Sequence, residues 1–338
     1  MKTIWKVIII VIIAGLILSV IGFATGASRT LYLDLNRRGV HIGSGTLNVV
    51  TESDLTPFSG IDIDVAFCDI EFHISDMFGI DLRGEDIEWS WTLEDGVLSI
   101  THDKNTRLQI VNIDFFDNSR SLVRVYLPEN VELYMVNIKS SSGEITLGNI
   151  NARHLELANS FGNVDLNDII SDHLQVTLSS GSFTGSNLKT RSLIYNNRFG
   201  DGRFQTVNAN SLLADSGSGN LHFTNCDFEA VSITNNFGDV IATGLSSFKS
   251  SIRANSGAIK INGDLKGESI IHAGFGNIDL TLSREKEEFS YDISVRFGDI
   301  TLDGERLRDQ KAFVSGAVLE NHLRLSSSSG DIRVSFER

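Results

Sequence analysis

The sequence predicts an all-β chain built as a single-stranded β-helix, a β-solenoid of 19-residue coils, preceded by one N-terminal transmembrane helix. Three observations carry that prediction. The glycines Gly143, Gly162, Gly181, Gly200, Gly219, Gly238, Gly257 and Gly276 recur at intervals of 19 residues. Within each interval apolar and polar residues alternate, the period of a half-buried strand. Residues 7–28 run without a single charge. These features divide the chain into an anchor (1–28), a β-rich cap or set of irregular opening coils (29–135) and the solenoid repeats (136–338).

The N-terminal element comes first. As a helix, 22 residues reach about 33 Å, enough to cross a hydrocarbon core of about 30 Å. Lys2 and Lys6 precede the run. The positive-inside bias then predicts a single-pass cell-membrane protein with a cytoplasmic N-terminus and an extracytoplasmic body. The same run also reads as a cleaved signal peptide, with Ala24-Thr25-Gly26 supplying small residues for a peptidase. The length of the apolar stretch favours the retained anchor. No cysteine follows the run, which argues against lipid modification.

Residues 29–135 lack the 19-residue register but read as strands separated by turns. Ile61-Asp62-Ile63-Asp64-Val65 alternates strictly, and Trp89-Ser90-Trp91-Thr92-Leu93, Val97-Leu98-Ser99-Ile100 and Leu122-Val123-Arg124-Val125-Tyr126-Leu127 are strand-like. The phrase Phe67-Cys68-Asp69-Ile70 matches the repeat with Cys in the glycine position.

In the solenoid region, stacking the units on their glycines exposes the core. Five residues before each Gly stand Ile138, Leu157, Val176, Tyr195, Ala214, Ile233, Ile252 and Ile271, apolar in every unit. Two after it stand Ile145, Val164, Phe183, Gly202, Leu221, Val240, Ile259 and Ile278. Each unit is therefore two short strands meeting at a Gly corner, able to bury their apolar faces only on neighbouring units. Stacked in parallel, the coils rise about 4.8 Å each. Phe183 with Gly185 is followed one coil later by Gly202 with Phe204, an exchange of large and small that a fixed interior volume requires. Before the corner glycine, Ser142, Phe161, Ser180, Phe199, Ser218, Phe237, Ser256 and Phe275 alternate. A ring too thick for every coil, with Ser leaving it room, makes this a structural corner stack rather than a ligand-stacking platform. Asn149, Asp168, Asn187, Thr206 and Asn225, six after Gly, suit a left-handed turn ladder. Calcium is the alternative, but the nonapeptide calcium-roll spacing is absent. Two later units are longer, Gly298 following after 22 residues and Gly330 after 32. Arg284-Glu285-Lys286-Glu287-Glu288 is expected as a solvated loop, and residues 304–321 as a protruding hairpin.

Composition excludes several function classes. Hydrophobic residues make up 41% of the chain, which excludes disorder, and the 30 glycines show no Gly-x-y period. Lys+Arg 29 against Asp+Glu 43 leaves a net charge of −14, which disfavours nucleic acid and docking on anionic lipid. Two cysteines form no disulfide framework.

The stretch Val123-Arg124-Val125-Tyr126-Leu127-Pro128, followed by a run of Ser-Gly-Glu-Ile and Phe-Gly-Asp-Ile phrases behind an N-terminal apolar segment, resembles the bacterial putative-adhesin family of β-strand-repeat proteins, a domain of unknown function. The resemblance covers roughly residues 40–338. It implies a β-strand-repeat fold and a role in surface interaction, and it brings no catalytic residues with it.

The residues themselves offer little reactive chemistry. No Gly-x-Ser-x-Gly elbow, His-Glu-x-x-His helix, P-loop or Cys-x-x-Cys occurs. No catalytic, cofactor-binding or metal-ligating residue is assigned, and no cofactor. Cys226 falls in an apolar column and reads as a buried small hydrophobe. His154 and His173, 19 apart, should be stacked neighbours facing solvent; they offer a transition metal two ligands, with no third evident. Two function classes remain. One is a non-catalytic, membrane-anchored binding solenoid, an adhesin or envelope scaffold, whose partners are an envelope glycan, a wall polymer or a surface protein. The other is a polysaccharide-degrading β-helix enzyme using corner acids such as Glu144, Asp201, Asp239, Asp299 and Asp331. Asn163, Ser182, Asn220, Ala258 and Asn277 interrupt those acids, which favours binding.

Overall fold

The computed structural model describes residues 30–34, 39–43, 47–85, 87–102, 107–112, 121–307, 311–315 and 319–337, with residue 15 alone before them. Its centre is six bent strands, each one whole coil: Ile145–Phe161, Val164–Ser180, Phe183–Phe199, Gly202–Ser218, Leu221–Phe237 and Val240–Ser256. Each pairs in parallel with the next at the predicted offset of 19, as Ile145 with Val164 and Leu157 with Val176. Register partners lapse at residues 149, 153 and 160, so each coil has three straight runs. At the first of these bends Asn149, Asp168, Asn187, Thr206 and Asn225 all adopt φ between 53° and 57°, and Gly244 continues the series at 70°. The left-handed turn ladder is as expected from their chemistry.

The glycine corner is sterically compulsory. Gly238 has φ +123°, and a Cβ there would lie 2.2 Å from the carbonyl oxygen of Gly219 in the coil beneath. In the opening coil Cys68 does hold the glycine position, with its carbonyl oxygen under Gly143. The positive φ moves there to Phe67, at 57°.

One apolar cluster runs from Phe58 to Val334 and includes every residue of the column from Ile138 to Ile271. Phe183 pairs with Gly202 and Gly185 with Phe204. A Cβ on Gly185 would lie 2.8 Å from the Phe183 ring, and one on Gly202 3.0 Å from the Tyr195 hydroxyl. The exchange of large and small residues is thus direct.

Both ends are closed by antiparallel strands, which satisfy edge groups that would otherwise template association. At the N-terminal end Gly60–Val65 and Cys68–Ser75 stack in parallel under the first coils. Val97–His102 and Ser121–Pro128 lie beyond them, also parallel. Trp89–Glu94, Gly79–Glu85 and Leu47–Ser53 then run antiparallel. Thr30–Asp34, Gly39–Gly43 and Arg107–Asn112 form a separate antiparallel sheet.

At the other end the stack departs from sequence order. Asn321–Ser329 lies between Glu268–Phe275 and Phe289–Phe297, and Ile332–Phe336 between Ile278–Leu282 and Ile300–Leu302. The last coil of the chain is therefore inserted between the two before it. Of the hairpin expected over 304–321, the described strands lie against the stack. Glu305–Arg306 and Ala312–Val314 run antiparallel on Ile300–Leu302 and Phe289–Phe297, covering the open edge, with Phe313 packed against the core. The charged loop is a single 3-10 turn, Lys286–Glu288, held by Arg284 to Asp264 at 2.6 Å and to Glu288 at 2.9 Å.

The membrane expectation is corrected. Among the described residues no helix is long and apolar enough to cross a membrane. Residues 7–28, residue 15 apart, lie outside the described residues. The transmembrane helix, the membrane as a partner through it, and the single-pass localisation built on it are without structural support and are withdrawn.

Candidate binding edge

The glycine corner turns the residue before it outward. In spatial order that residue reads Phe67, Ser142, Phe161, Ser180, Phe199, Ser218, Phe237, Ser256, Phe275, Ser329 and Phe297. The alternation is unbroken through every coil. All six rings are exposed, between 61% and 73%. They stand two coils apart, about 9.6 Å, along an edge about 48 Å long.

Ring thickness does not impose this pattern, contrary to the expectation from sequence. Phe204 and Phe223 occupy adjacent coils and stack at 4.7 Å with their planes 8° apart. Flat rings fit one strand spacing. The exposed rings also lack the burial by which a phenylalanine stabilises a fold. Neither packing nor core formation accounts for the row.

A second alternating series braces it. Three residues before the glycine, the three central phenylalanine coils carry Asn159, Asn197 and Asn235, all buried, where the coils of Phe67, Phe275 and Phe297 have Val65, Ala273 and Val295. Asn235 donates through Nδ2 to the carbonyls of Gly219 (3.0 Å) and Gly238 (2.9 Å). Asn197 does the same to Gly181 and Gly200, and Asn159 to Gly143 and Gly162. Each clamp ties two corners together beneath an exposed ring. The signal was present in the sequence as Asn recurring every 38 residues, a period hidden by the stronger one of 19.

The residue after the glycine forms the neighbouring row. Its side-chain oxygen accepts the backbone N–H of the same position one coil on. Asp69 takes that of Glu144, Asn163 that of Ser182, Asp201 that of Asn220 and Asp239 that of Ala258, at 2.8–3.0 Å. Asp331 takes that of Asp299 at 3.0 Å. The second oxygens of Asp201, Asp331 and Asp299 hold Arg203, Arg333 and Arg306. Acid and amide are equivalent in this role, which explains why Asn163, Asn220 and Asn277 interrupt the series. Of the corner acids invoked for glycoside chemistry, Asp201, Asp239 and Asp331 are backbone acceptors, and Asp299 is held by Arg306.

A family model described as Toastrack DUF4097 matches residues 59–193 and again residues 171–335. The chain belongs to the Toastrack DUF4097 family. The kinship read from the Ser-Gly-Glu-Ile and Phe-Gly-Asp-Ile phrases is borne out at the level of the family. No curated protein matches the chain. Solved structures similar to it include a "putative cell adhesion protein" from Clostridium sporogenes, 10% identical, covering 87% of this chain and 100% of that one at a TM-score of 0.21. A "putative adhesin" from Parabacteroides distasonis is 16% identical, covering 70% and 98% at 0.40. Another from Bacteroides fragilis is 13% identical, covering 85% and 97% at 0.32.

Elsewhere in the Toastrack chain, His154 and His173 are brought together as the spacing requires. Their exposed rings stack at 5.2 Å and 8°, with Tyr134 edge-on to His154 at 5.6 Å. Among the described residues no group of three His, Cys, Asp or Glu is placed to hold a metal ion. Cys226 is buried in the core, its thiol directed at the Phe204 carbonyl, and burial raises its pKa against the pull of backbone hydrogen bonds.

Proposed function

We propose that this Toastrack chain acts by binding, without catalysis, and that the phenylalanine edge is its contact surface. The observation that carries this reading is the row of six exposed rings, regularly spaced, its three central members braced from within, and required by no packing constraint. A regular row of exposed aromatic rings of this kind on a chain of net charge −14 marks an interaction site. Its form suits multipoint contact with an extended partner, an envelope glycan, a wall polymer or a surface protein, where small contributions add.

Replacing Phe199 and Phe237 together by Ser, the residue of the alternate coils, tests the reading. Burying a phenylalanine is worth about 1.5–3 kcal/mol, so losing two should weaken saturable binding to envelope material by more than about tenfold with melting unchanged. Unchanged binding by the double variant contradicts the proposal. Turnover of a polysaccharide, abolished by Asp239→Asn, moves the assignment to the enzyme class.

A further inference from the structure

We infer that the partner of this edge is a second copy of the same chain, with the two rows of phenylalanines meshed; the inference rests on the edge being a contact surface. Six rings separated by five serines form a comb whose teeth and gaps have the same width, one coil each. Such a comb is complementary to itself once shifted by one coil, about 4.8 Å. A ring of one copy then lies over a serine of the other and between two of its rings.

The period selects the occupant. A second copy repeats at the same spacing, so no registry error accumulates along about 48 Å. An extended strand shows one face every two residues, about 6.8 Å, and leaves the spacing of about 9.6 Å at the first step. An α-helix offers two turns in about 10.8 Å and drifts by more than an ångström per ring. A polyproline II chain turns once in about 9.3 Å and is the nearest rival. It would cover one narrow strip of each ring, whereas a meshed copy encloses both faces.

The available area agrees with a stable pair. At 61–73% exposure, and with roughly 150–250 Å² carried by each aromatic side chain, the six rings present roughly 800 Å². That is the contribution of one partner to an interface of standard size. Closed pairing through one patch requires a two-fold axis. Meshing places that axis across the edge, so the copies run antiparallel and their acid rows lie side by side. Arg203, Arg306 and Arg333, paired with Asp201, Asp299 and Asp331, remove much of the repulsion that this arrangement would bring.

Sedimentation of the full chain over a range of concentrations tests the inference, in mild detergent that keeps the apolar run 7–28 from associating. Three proteins are compared: the wild type, the double variant Phe199→Ser with Phe237→Ser, and the double variant Ser180→Phe with Ser218→Phe. The expected result is a wild-type dimer whose dissociation constant rises at least tenfold in both variants, with melting and circular dichroism retained. Removing teeth and filling gaps must both break a mesh. Adding rings must instead strengthen mere apolar sticking, so association of the gap-filled protein at wild-type strength overturns the inference. A wild type that is monomeric at its highest soluble concentration overturns it as well. If that monomer still binds envelope material through Phe199 and Phe237, self-pairing alone falls. If neither association nor binding responds to the two rings, the contact reading falls with it.

Discussion

Ser329 is the register neighbour of Phe275, and its other neighbour is Phe297, although the chain reaches Phe297 long before Ser329. Stacked in sequence order, Phe275 and Phe297 would stand in adjacent coils and the alternation would break. Inserting the last coil between them restores it. The pattern therefore belongs to the assembled edge, and the placement of the C-terminal coil is written into the identity of two corner residues.

The inserted coil should also hold the end of the stack together. It contributes Leu323, Leu325, Ile332 and Val334, all fully buried or nearly so. At about 1.5–3 kcal/mol for each side chain, its removal should cost several kcal/mol. A chain truncated before Asn321 is expected to melt well below the full chain and to be cleaved by protease within residues 284–307. Identical melting and cleavage patterns would show that Phe289–Phe297 and Ile300–Leu302 do not depend on it.

The coil register makes a sharper pair of expectations. Ile259 is fully buried in the column two after the glycine, so Ile259→Asp leaves an unpaired charge in the core. The loss should exceed about 4 kcal/mol. Asn277 uses its Oδ1 to accept the Asp331 N–H at 2.9 Å, and a carboxylate accepts equally well. Asn277→Asp should stay within about 0.5 kcal/mol of wild type in urea unfolding. Equal shifts for the two would refute the stacking.

Why these features were legible, and others not, follows from how local each one is. Gly238 needs its φ of +123° and its missing Cβ whatever else the chain does, so the glycine period declares the coil directly. Asn225 and Thr206 mark the left-handed bend by their own side-chain chemistry. Phe183 against Gly202 was readable because volume must be conserved between neighbours. The order of the last three coils was not readable, since a 22-residue and a 32-residue unit say which residues share a corner but not which coils touch. Nor could sequence show that Glu305–Arg306 and Ala312–Val314 cover an edge, because only the open end of the stack demands it. The candidate edge was seen as a pattern and misjudged in cause. The premise of ring thickness fails against Phe204 on Phe223, and solvent exposure leaves no trace in a one-residue alternation.

The buried asparagine clamps should carry stability that the rings do not. Asn235 is fully buried and satisfies two glycine carbonyls at once. Asn235→Ala strands both in the interior, at about 1–3 kcal/mol for an unsatisfied buried group. The neighbouring coils place Ser216 and Ala254 at the same register, so the fold itself should survive. The half-buried neighbour Asn236, which donates to the Ser216 carbonyl at 3.3 Å and accepts from the exposed Asn255 amide at 2.6 Å, is the control; water can replace its solvent-facing partner, so Asn236→Ala should change stability by less than about 0.5 kcal/mol. Comparable losses for the two would assign no special role to the clamp.

Both cysteines should be silent until the chain unfolds. Cys68 and Cys226 are each 1% exposed. Burial pushes the Cys68 thiol up to about 12, with the charge of Asp69 adding to it, and burial also raises Cys226. The thiolate is the reactive form, so a disulfide reagent at pH 8 is expected to label neither residue in the native chain and both in denaturant. The same shift fixes the sign of the pH dependence. An unfolded thiol ionises at about 8.5 while the folded Cys68 keeps its proton, so these groups carry no penalty at neutral pH. Above the unfolded value the folded state should lose up to about 1.4 kcal/mol per pH unit for Cys68, until its own pKa of about 12 is passed. Replacing Cys68 by Ala should flatten that alkaline decline in urea unfolding measured from pH 8 to 11. Rapid native labelling of Cys68, or an alkaline decline unaltered by its replacement, would place the opening coil outside the core.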